Sequence, residues 1–425
     1  MNAYKRRDFL KASAAAAVLP LLSACAASPT RPTARVAVIG GGFGGATAAK
    51  YIRMWAPQIE VVLIEPNAAF VSCPLSNLVL GGNRQIEDLT TPYDTLVSRY
   101  GVKHVRDLAV AVDADKRKVH LQNGDAVDYD RLIVSPGVDF LWDEIPGLAS
   151  DDARATVLHA WKAGPQTVAL RRQLEAMPDG GVYALHIPLA PYRCPPGPYE
   201  RAAQIAFYFK HHKPRSKVLL FDSNPDIVSK KALFETAWND RYPGIIEYVP
   251  NSGLLDVDAR TRTLQLEFDE VRADVLNVVP PHRAGNIAQQ AGLITANDRW
   301  CEIDWRTTES RVVDRIHVLG DATLAAPGMP KSGFMANNHA KIAADAVIAQ
   351  LTGRPINEHP IIANTCYSFV SDTDVVHVAS VHKYDAEQDT LVAVEGAGGL
   401  SAAANAMEGR YADSWARNIW ADMLL

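Results

Sequence analysis

Cysteine is scarce here: five in 425 residues, at positions 25, 73, 194, 301 and 366, with no Cys-x-x-Cys pair among them. A zinc ribbon built on such pairs is therefore excluded. No Cys-x-x-Cys-His occurs either, so the chain carries no c-type haem of its own. None of the twelve histidines has a metal-like spacing. Past residue 22 no apolar run approaches the length of a transmembrane helix. Positive charge is not in excess, the formal net charge being −5. That balance argues against a nucleic-acid partner and permits docking to a basic one.

What is present begins with Lys5-Arg6-Arg7-Asp8-Phe9-Leu10-Lys11 before an alanine-rich run from Ala12 to Leu22. This reads as a twin-arginine export leader over residues 1–27, cut near Ala24-Cys25-Ala26, and places the protein in the periplasm. Leu22-Ser23-Ala24-Cys25 is also similar to a lipoprotein acceptor site, which gives the same segment a second reading as a lipid anchor at Cys25. Removing the leader's net +3 moves the charge to −8.

The next segment is a dinucleotide fingerprint. Arg35 to Ile39 is a β-branched strand, Gly40-Gly41-Gly42-Phe43-Gly44-Gly45 opens a helix to about Trp55, and Val61 to Ile64 forms a second strand closed by Glu65. Gly40 serves the turn, Gly42 the approach of a pyrophosphate, and Gly45 helix–strand packing. Glu65 is placed to accept from a ribose hydroxyl. From Val110 to Val134 the chain alternates like a small sheet with a turn at Asn123-Gly124-Asp125, ending in Ser135-Pro136-Gly137. A later strand, Arg315 to Leu319, runs into Gly320-Asp321.

A second unit of the same kind is expected from Val182 to Ile187, a helix from Tyr199 to Lys210, and Val218 to Phe221. Asp222 then occupies the position that Glu65 holds in the first unit. Where the second phosphate loop belongs, the chain reads Pro191-Tyr192-Arg193-Cys194-Pro195-Pro196-Gly197-Pro198. A phosphate loop offers backbone N–H groups, and proline has none. The second nucleotide site is dismantled and refitted with a thiol. Beyond Pro355 short strands run to Gly399, followed by a final helix. That helix carries an apolar stripe, Trp415, Ile419, Trp420 and Met423, which reads as packing surface rather than a ring stacked on a cofactor.

Together these pieces resemble the pyridine-nucleotide-disulfide oxidoreductase fold. Within it they resemble the flavoprotein subunit of flavocytochrome c sulfide dehydrogenase. The marks are Val71-Ser72-Cys73-Pro74-Leu75-Ser76-Asn77 with Gly81-Gly82, the stretch from Ala190 to Arg201, Pro330-Lys331-Ser332-Gly333-Phe334, Asn364-Thr365-Cys366-Tyr367-Ser368, and the Gly396-Ala397-Gly398-Gly399 and Trp415 region.

The resemblance implies an α/β chain of two Rossmann-like dinucleotide-binding domains, as in glutathione reductase, plus a C-terminal α+β interface domain. The implied divisions are 33–150 and 281–354 for an FAD domain in two parts, 151–280 for a second domain without a working NAD loop, and 355–425 for the flavin and partner interface. It further implies FAD bound by Gly40, Gly42, Gly45, Glu65, Gly137 and Asp321 and tethered covalently through Cys73. Cys194 and Cys366 match the redox-active disulfide, with Glu200 as a proton relay. The implied reaction is oxidation of sulfide to sulfur or polysulfide, with electrons passed to a cytochrome c subunit that carries the haem. The rival within the fold is a sulfide:quinone oxidoreductase at the membrane surface. Cys301 matches no active cysteine and reads as a buried thiol, and His339 as structural.

Overall fold

The computed structural model describes residues 32–425. The expected leader and the Cys25 anchor lie outside the described residues. Strand β1 (Ala34–Ile39), helix α1 (Phe43–Trp55) and strand β2 (Ile59–Ile64) form the first βαβ unit. Strands β3 (Lys103–Val105) and β4 (Arg131–Val134) extend its sheet. With the strand Ile316–Val318 at one edge, the order is Ile316–Val318, β4, β1, β2, β3, and every pairing is parallel. A parallel sheet buried on both faces favours unbroken Val, Ile and Leu runs. Val36, Val38, Val61, Leu63, Ile133 and Leu319 accordingly pack into one core under α1.

The sheet expected over Val110 to Val134 forms only in part. Ala109–Asp113, Lys118–Leu121 and Ala126–Asp128 make a three-stranded antiparallel sheet. Its last turn falls at Asn123-Gly124-Asp125, where the Asp125 N–H donates to the Asn123 side chain at 2.8 Å and Gly124 takes φ +94°. Arg131 to Val134 instead leaves for the parallel sheet as β4.

The second unit comprises β5 (Val182–Ile187), α2 (Gly197–His212), β6 (Lys217–Asp222), β7 (Ile246–Val249) and β8 (Val275–Val278). Its sheet runs β7-β6-β5-β8, again all parallel. Helix α2 starts at Gly197, two residues before the expected Tyr199. Pro198 lies in the first turn, where a missing N–H breaks no intrahelical bond. The prolines thus precede and begin the helix rather than hold it off.

Helix α3 (Gly333–Thr352) lies against α1. It leads into β9 (Ile361–Phe369), β10 (Val375–Asp385) and β11 (Thr390–Ala393), an antiparallel sheet covered by α4 (Ala406–Leu424). Two of these strands have nine and eleven residues, so the expected run of short strands is corrected. Among the described residues no helix is long and apolar enough to cross a membrane.

Four interior histidines tie stability to pH. Burial pushes His186 and His317 down to about 4 and His159 and His339 down to about 3. Unfolded, each takes up a proton near pH 6.5. Below that value the unfolded chain binds protons that the folded one refuses, so stability is whole above pH 7 and drains as pH falls toward 4. The urea midpoint is expected to drop steadily between pH 7.5 and 4.5. A midpoint that is flat or rises over that range contradicts this.

Candidate active site

Ligands of open parallel sheets lie beyond the carboxyl ends of the strands. Here β1, β2, β4 and the strand Ile316–Val318 run together and deliver Gly40, Glu65, Gly137 and Asp321 to one edge. All four line a cavity of about 430 Å³. The same cavity is walled by Gly42, Cys73, Cys194, Glu200 and Cys366. Eight of the expected cofactor and catalytic residues therefore share it with Gly40. Gly45 is behind the wall: a Cβ there would come within 1.8 Å of the Gly40 carbonyl oxygen, so it closes α1 onto the turn. Gly40 needs its own φ of +94°, and a Cβ on it would strike the Ser135 carbonyl.

Cys73 follows the strand Ala69–Val71, and its sulfur receives the Ala163 N–H at 3.4 Å. Cys194 stands three residues ahead of α2 with φ +60°. Its loop is pinned by the Cys194 N–H donating to the Lys331 carbonyl at 2.9 Å and by the Gly197 N–H donating to the Cys194 carbonyl at 2.8 Å. Cys366 arrives from β9, paired with Val378. Cys73, Cys194, Cys301 and Cys366 are all thiols in the structure, so the expected Cys194–Cys366 bond is not formed in it. Burial raises both thiols, and each feels the charge of Glu200. Cys301 is enclosed, away from the cavity wall.

Glu200 is buried in the first turn of α2, where it accepts from the Phe369 N–H and the Asn77 amide, both at 2.8 Å. Burial lifts its carboxyl above the usual range, although both donors oppose the shift. A carboxyl so shifted takes up a proton more readily than an exposed one. His339 accepts from the Gly320 N–H at 3.2 Å and is structural.

A set of cations escaped the reading of the sequence: Arg201, Lys230 and Lys331, all buried, and the half-buried Arg193. Arg201 donates to Asn77 and Asn277 and to the carbonyls of His159 and Ala160. Arg193 donates to the Trp161 carbonyl. Lys331, held down to about 7 chiefly by burial, donates to the Asp321 carbonyl at 3.0 Å. Lys230 donates to the Cys366 carbonyl and the Ser368 hydroxyl of β9. Trp415 also lines the cavity beside Phe334 and Tyr367, which corrects the packing-only reading of that stripe. A cluster of Arg and Lys near cysteines was the available signal. Nothing local marked these side chains as interior.

The residues present fit a flavin dinucleotide. A Cβ on Gly42 would meet nothing within 4 Å, so the loop offers open space where a diphosphate would approach. Asp321 brings to the same cavity a buried carboxylate oxygen with no hydrogen-bond partner among the described residues. The second unit offers no equivalent. Asp222 is bound by the Tyr199 hydroxyl at 2.7 Å, the Tyr248 hydroxyl at 3.1 Å and the Asn224 amide at 2.7 Å, which leaves it unavailable to a ribose.

Fold and site define a flavoprotein of the two-dinucleotide oxidoreductase class. Residues 34–171 match the family model for pyridine nucleotide-disulphide oxidoreductases. Residues 167–280 match the central region of the sulfide dehydrogenase [flavocytochrome c] flavoprotein chain, and 358–424 match the flavocytochrome c sulphide dehydrogenase flavin-binding region. The chain is 62% identical over 47 residues to the sulfide dehydrogenase [flavocytochrome c] flavoprotein chain of Chlorobaculum thiosulfatiphilum, covering 11% of this chain and 98% of that sequence. This chain belongs to the flavocytochrome c sulfide dehydrogenase flavoprotein family. It is also 24% identical over 353 residues to a sulfide-quinone reductase of Aquifex aeolicus, covering 78% of this chain and 80% of the relative. The solved sulfide:quinone oxidoreductase of Aquifex aeolicus superposes with a TM-score of 0.75 at 18% identity, over 92% of this chain and 91% of that one. That likeness speaks to the fold alone.

Proposed function

We propose that this chain oxidises sulfide through a Cys194–Cys366 disulfide, holds FAD covalently through Cys73, and passes electrons to a cytochrome c subunit. One observation carries the reading: two thiols from the middle and the end of the chain meet the glycine loop and Cys73 in a single cavity. Gly40, Gly42, Glu65, Gly137 and Asp321 would hold the dinucleotide. FAD, when bound, accepts an electron pair from sulfur and releases it in single steps.

The chain's own residues do the rest. Sulfide arrives as HS⁻ and needs no base to act as a nucleophile. It attacks one sulfur of the disulfide, so that one cysteine carries a persulfide and the other leaves as a thiolate. Placing both sulfurs on the cavity wall makes the following step local rather than bimolecular. Glu200 holds or gives up the proton that sulfur release requires. The sequence has no Cys-x-x-Cys-His motif, so on this reading the cytochrome that takes the electrons is a separate chain. The twin-arginine reading of the first residues puts this chemistry in the periplasm.

The quinone-linked alternative rests on the Aquifex aeolicus relative. Against it, α4 carries Asp413, Arg417 and Asp422 rather than the basic amphipathic face of a membrane-surface helix. Mixing the flavin-loaded protein with sulfide is expected to reduce soluble cytochrome c at least about tenfold faster than a soluble quinone, a margin of about 1.4 kcal/mol in barrier. NADH is expected to leave the flavin oxidised. Faster quinone reduction would favour the alternative, and bleaching by NADH would restore a working second nucleotide site.

A further inference from the structure

Among the described residues, the buried cation Lys230 makes no ion pair with a carboxylate. It precedes the helix Lys231–Arg241 with φ +58° and is 6% exposed. Its ammonium donates to the Cys366 carbonyl at 3.0 Å, the Ser368 hydroxyl at 2.7 Å and the Val376 carbonyl at 3.3 Å. Those bonds satisfy its three donors and leave its charge uncompensated, because all three acceptors are neutral. A buried charge in that position is costly unless an anion stands nearby. The ionisable groups that face it are Cys366, Glu200, Cys194 and Glu408. Glu200 is drawn toward its neutral form by burial, and Glu408 is engaged by Ser401 and His377. Burial raises the Cys366 thiol as well, but Lys230 and then Asn364 are the foremost groups that oppose that rise, so among these four a thiolate at Cys366 is the anion the ammonium favours.

A second neighbour acts in the same direction. The Asn364 amide nitrogen lies 3.4 Å from the Cys366 sulfur. Its oxygen accepts from the Ser332 hydroxyl at 2.7 Å and lies 3.5 Å from the same sulfur, so it accepts from Cys366 as a thiol, while the amide N–H is the group that can donate to a thiolate there. Among the described residues Cys194 has no comparable donor; its sulfur lies against Gly197, where an added Cβ would come within 3.0 Å of it. The start of α2 beside Cys194 contributes only a partial charge, about half a unit. Arg193 faces Cys194, but its field is shared with Cys73 and Asp321.

We propose that Lys230 and Asn364 polarise the sulfur pair, so that Cys366 departs as the thiolate and the incoming sulfur is carried on Cys194. The proposal rests on the disulfide reading given above. HS⁻ forms a new S–S bond to Cys194, the Cys194–Cys366 bond breaks, and its electron pair stays on Cys366. No external oxidant enters this step. Lys230 is a positioning residue: it acts through Cys366 and does not touch the attacking sulfur.

The test uses the flavin-loaded protein, oxidised and anaerobic, mixed with one equivalent of sulfide in the absence of cytochrome. Excess iodoacetamide quenches the reaction, and the Cys194 and Cys366 peptides are mapped by mass. The expected result is one extra sulfur on the alkylated Cys194 peptide and plain alkylation at Cys366. Lys230→Arg is expected to keep that distribution, and Lys230→Met to erode the preference by roughly tenfold, the equivalent of one pK unit. Extra sulfur on Cys366 in the unmodified protein overturns the proposal, as does a folded Lys230→Met variant with an unchanged distribution. Should Lys230→Met fail to fold, the unmodified protein alone still decides which sulfur is attacked. If mapping before sulfide addition finds no Cys194–Cys366 bond, the disulfide reading itself fails, and the proposal falls with it.

Discussion

Cys194→Ser is expected to keep its flavin and to oxidise sulfide more slowly by on the order of 10³-fold or more, the scale of losing a nucleophile that works as part of a unit. Retention follows from how the loop is held. Its backbone bonds to the Lys331 carbonyl and from the Gly197 N–H do not involve the sulfur, and serine tolerates the same positive φ no worse than cysteine does. The loss follows from chemistry, since a hydroxyl forms no disulfide and offers sulfide nothing to attack. Cys366→Ser is expected to fail in the same way, because the two residues form one reacting unit. The checks are the bound-flavin spectrum and sulfide-dependent reduction of cytochrome c. Turnover at the normal rate by either variant would remove the disulfide from the reaction.

Cys73→Ser is expected to shift the flavin almost completely from the protein pellet to the supernatant on acid precipitation. Unsubstituted protein should stay yellow under the same treatment. Cys73 lines the cavity, and the Ala163 N–H donated to its sulfur fixes where that sulfur points. The remaining cradle of Gly40, Gly42, Glu65 and Asp321 is untouched, so the native variant should still bind flavin, reversibly. Peptide mapping of the unsubstituted pellet should place the flavin on the peptide containing Val71-Ser72-Cys73-Pro74. Flavin released by acid from the unsubstituted protein would rule out the tether.

How far the sequence could be read depended on whether a residue's role was local. Gly40, Gly42 and Gly45 act within one turn, so their spacing alone announced the turn, the approach and the packing contact. Glu65 and Asp321 were legible because each closes a strand that runs to the same sheet edge. Lys230 was not. It stands beside Lys231, which is half-exposed in an ion pair with Asp226, and a Lys-Lys step at a helix start gives no sign that one member points inward. Only the packing of β9 and β10 against that turn buries it. Arg201 and Lys331 were hidden for the same reason, their partners lying in distant segments. The early start of α2 was missed because Gly197 and Pro198 were read as the end of the loop, whereas the first helical turn accepts proline.

Helix α4 is stitched to α1. Lys50 donates to the Ala421 carbonyl at 2.8 Å, Tyr51 to Asp422 at 2.5 Å, and Asn337 on α3 to the same carboxylate at 2.8 Å. Through Trp415 this helix also closes a wall of the cavity whose floor was laid by the first glycines. Synthesis runs from one end, so a nascent chain can complete the glycine turn long before this wall exists. Flavin capture in the finished geometry therefore waits until α4 has left the ribosome.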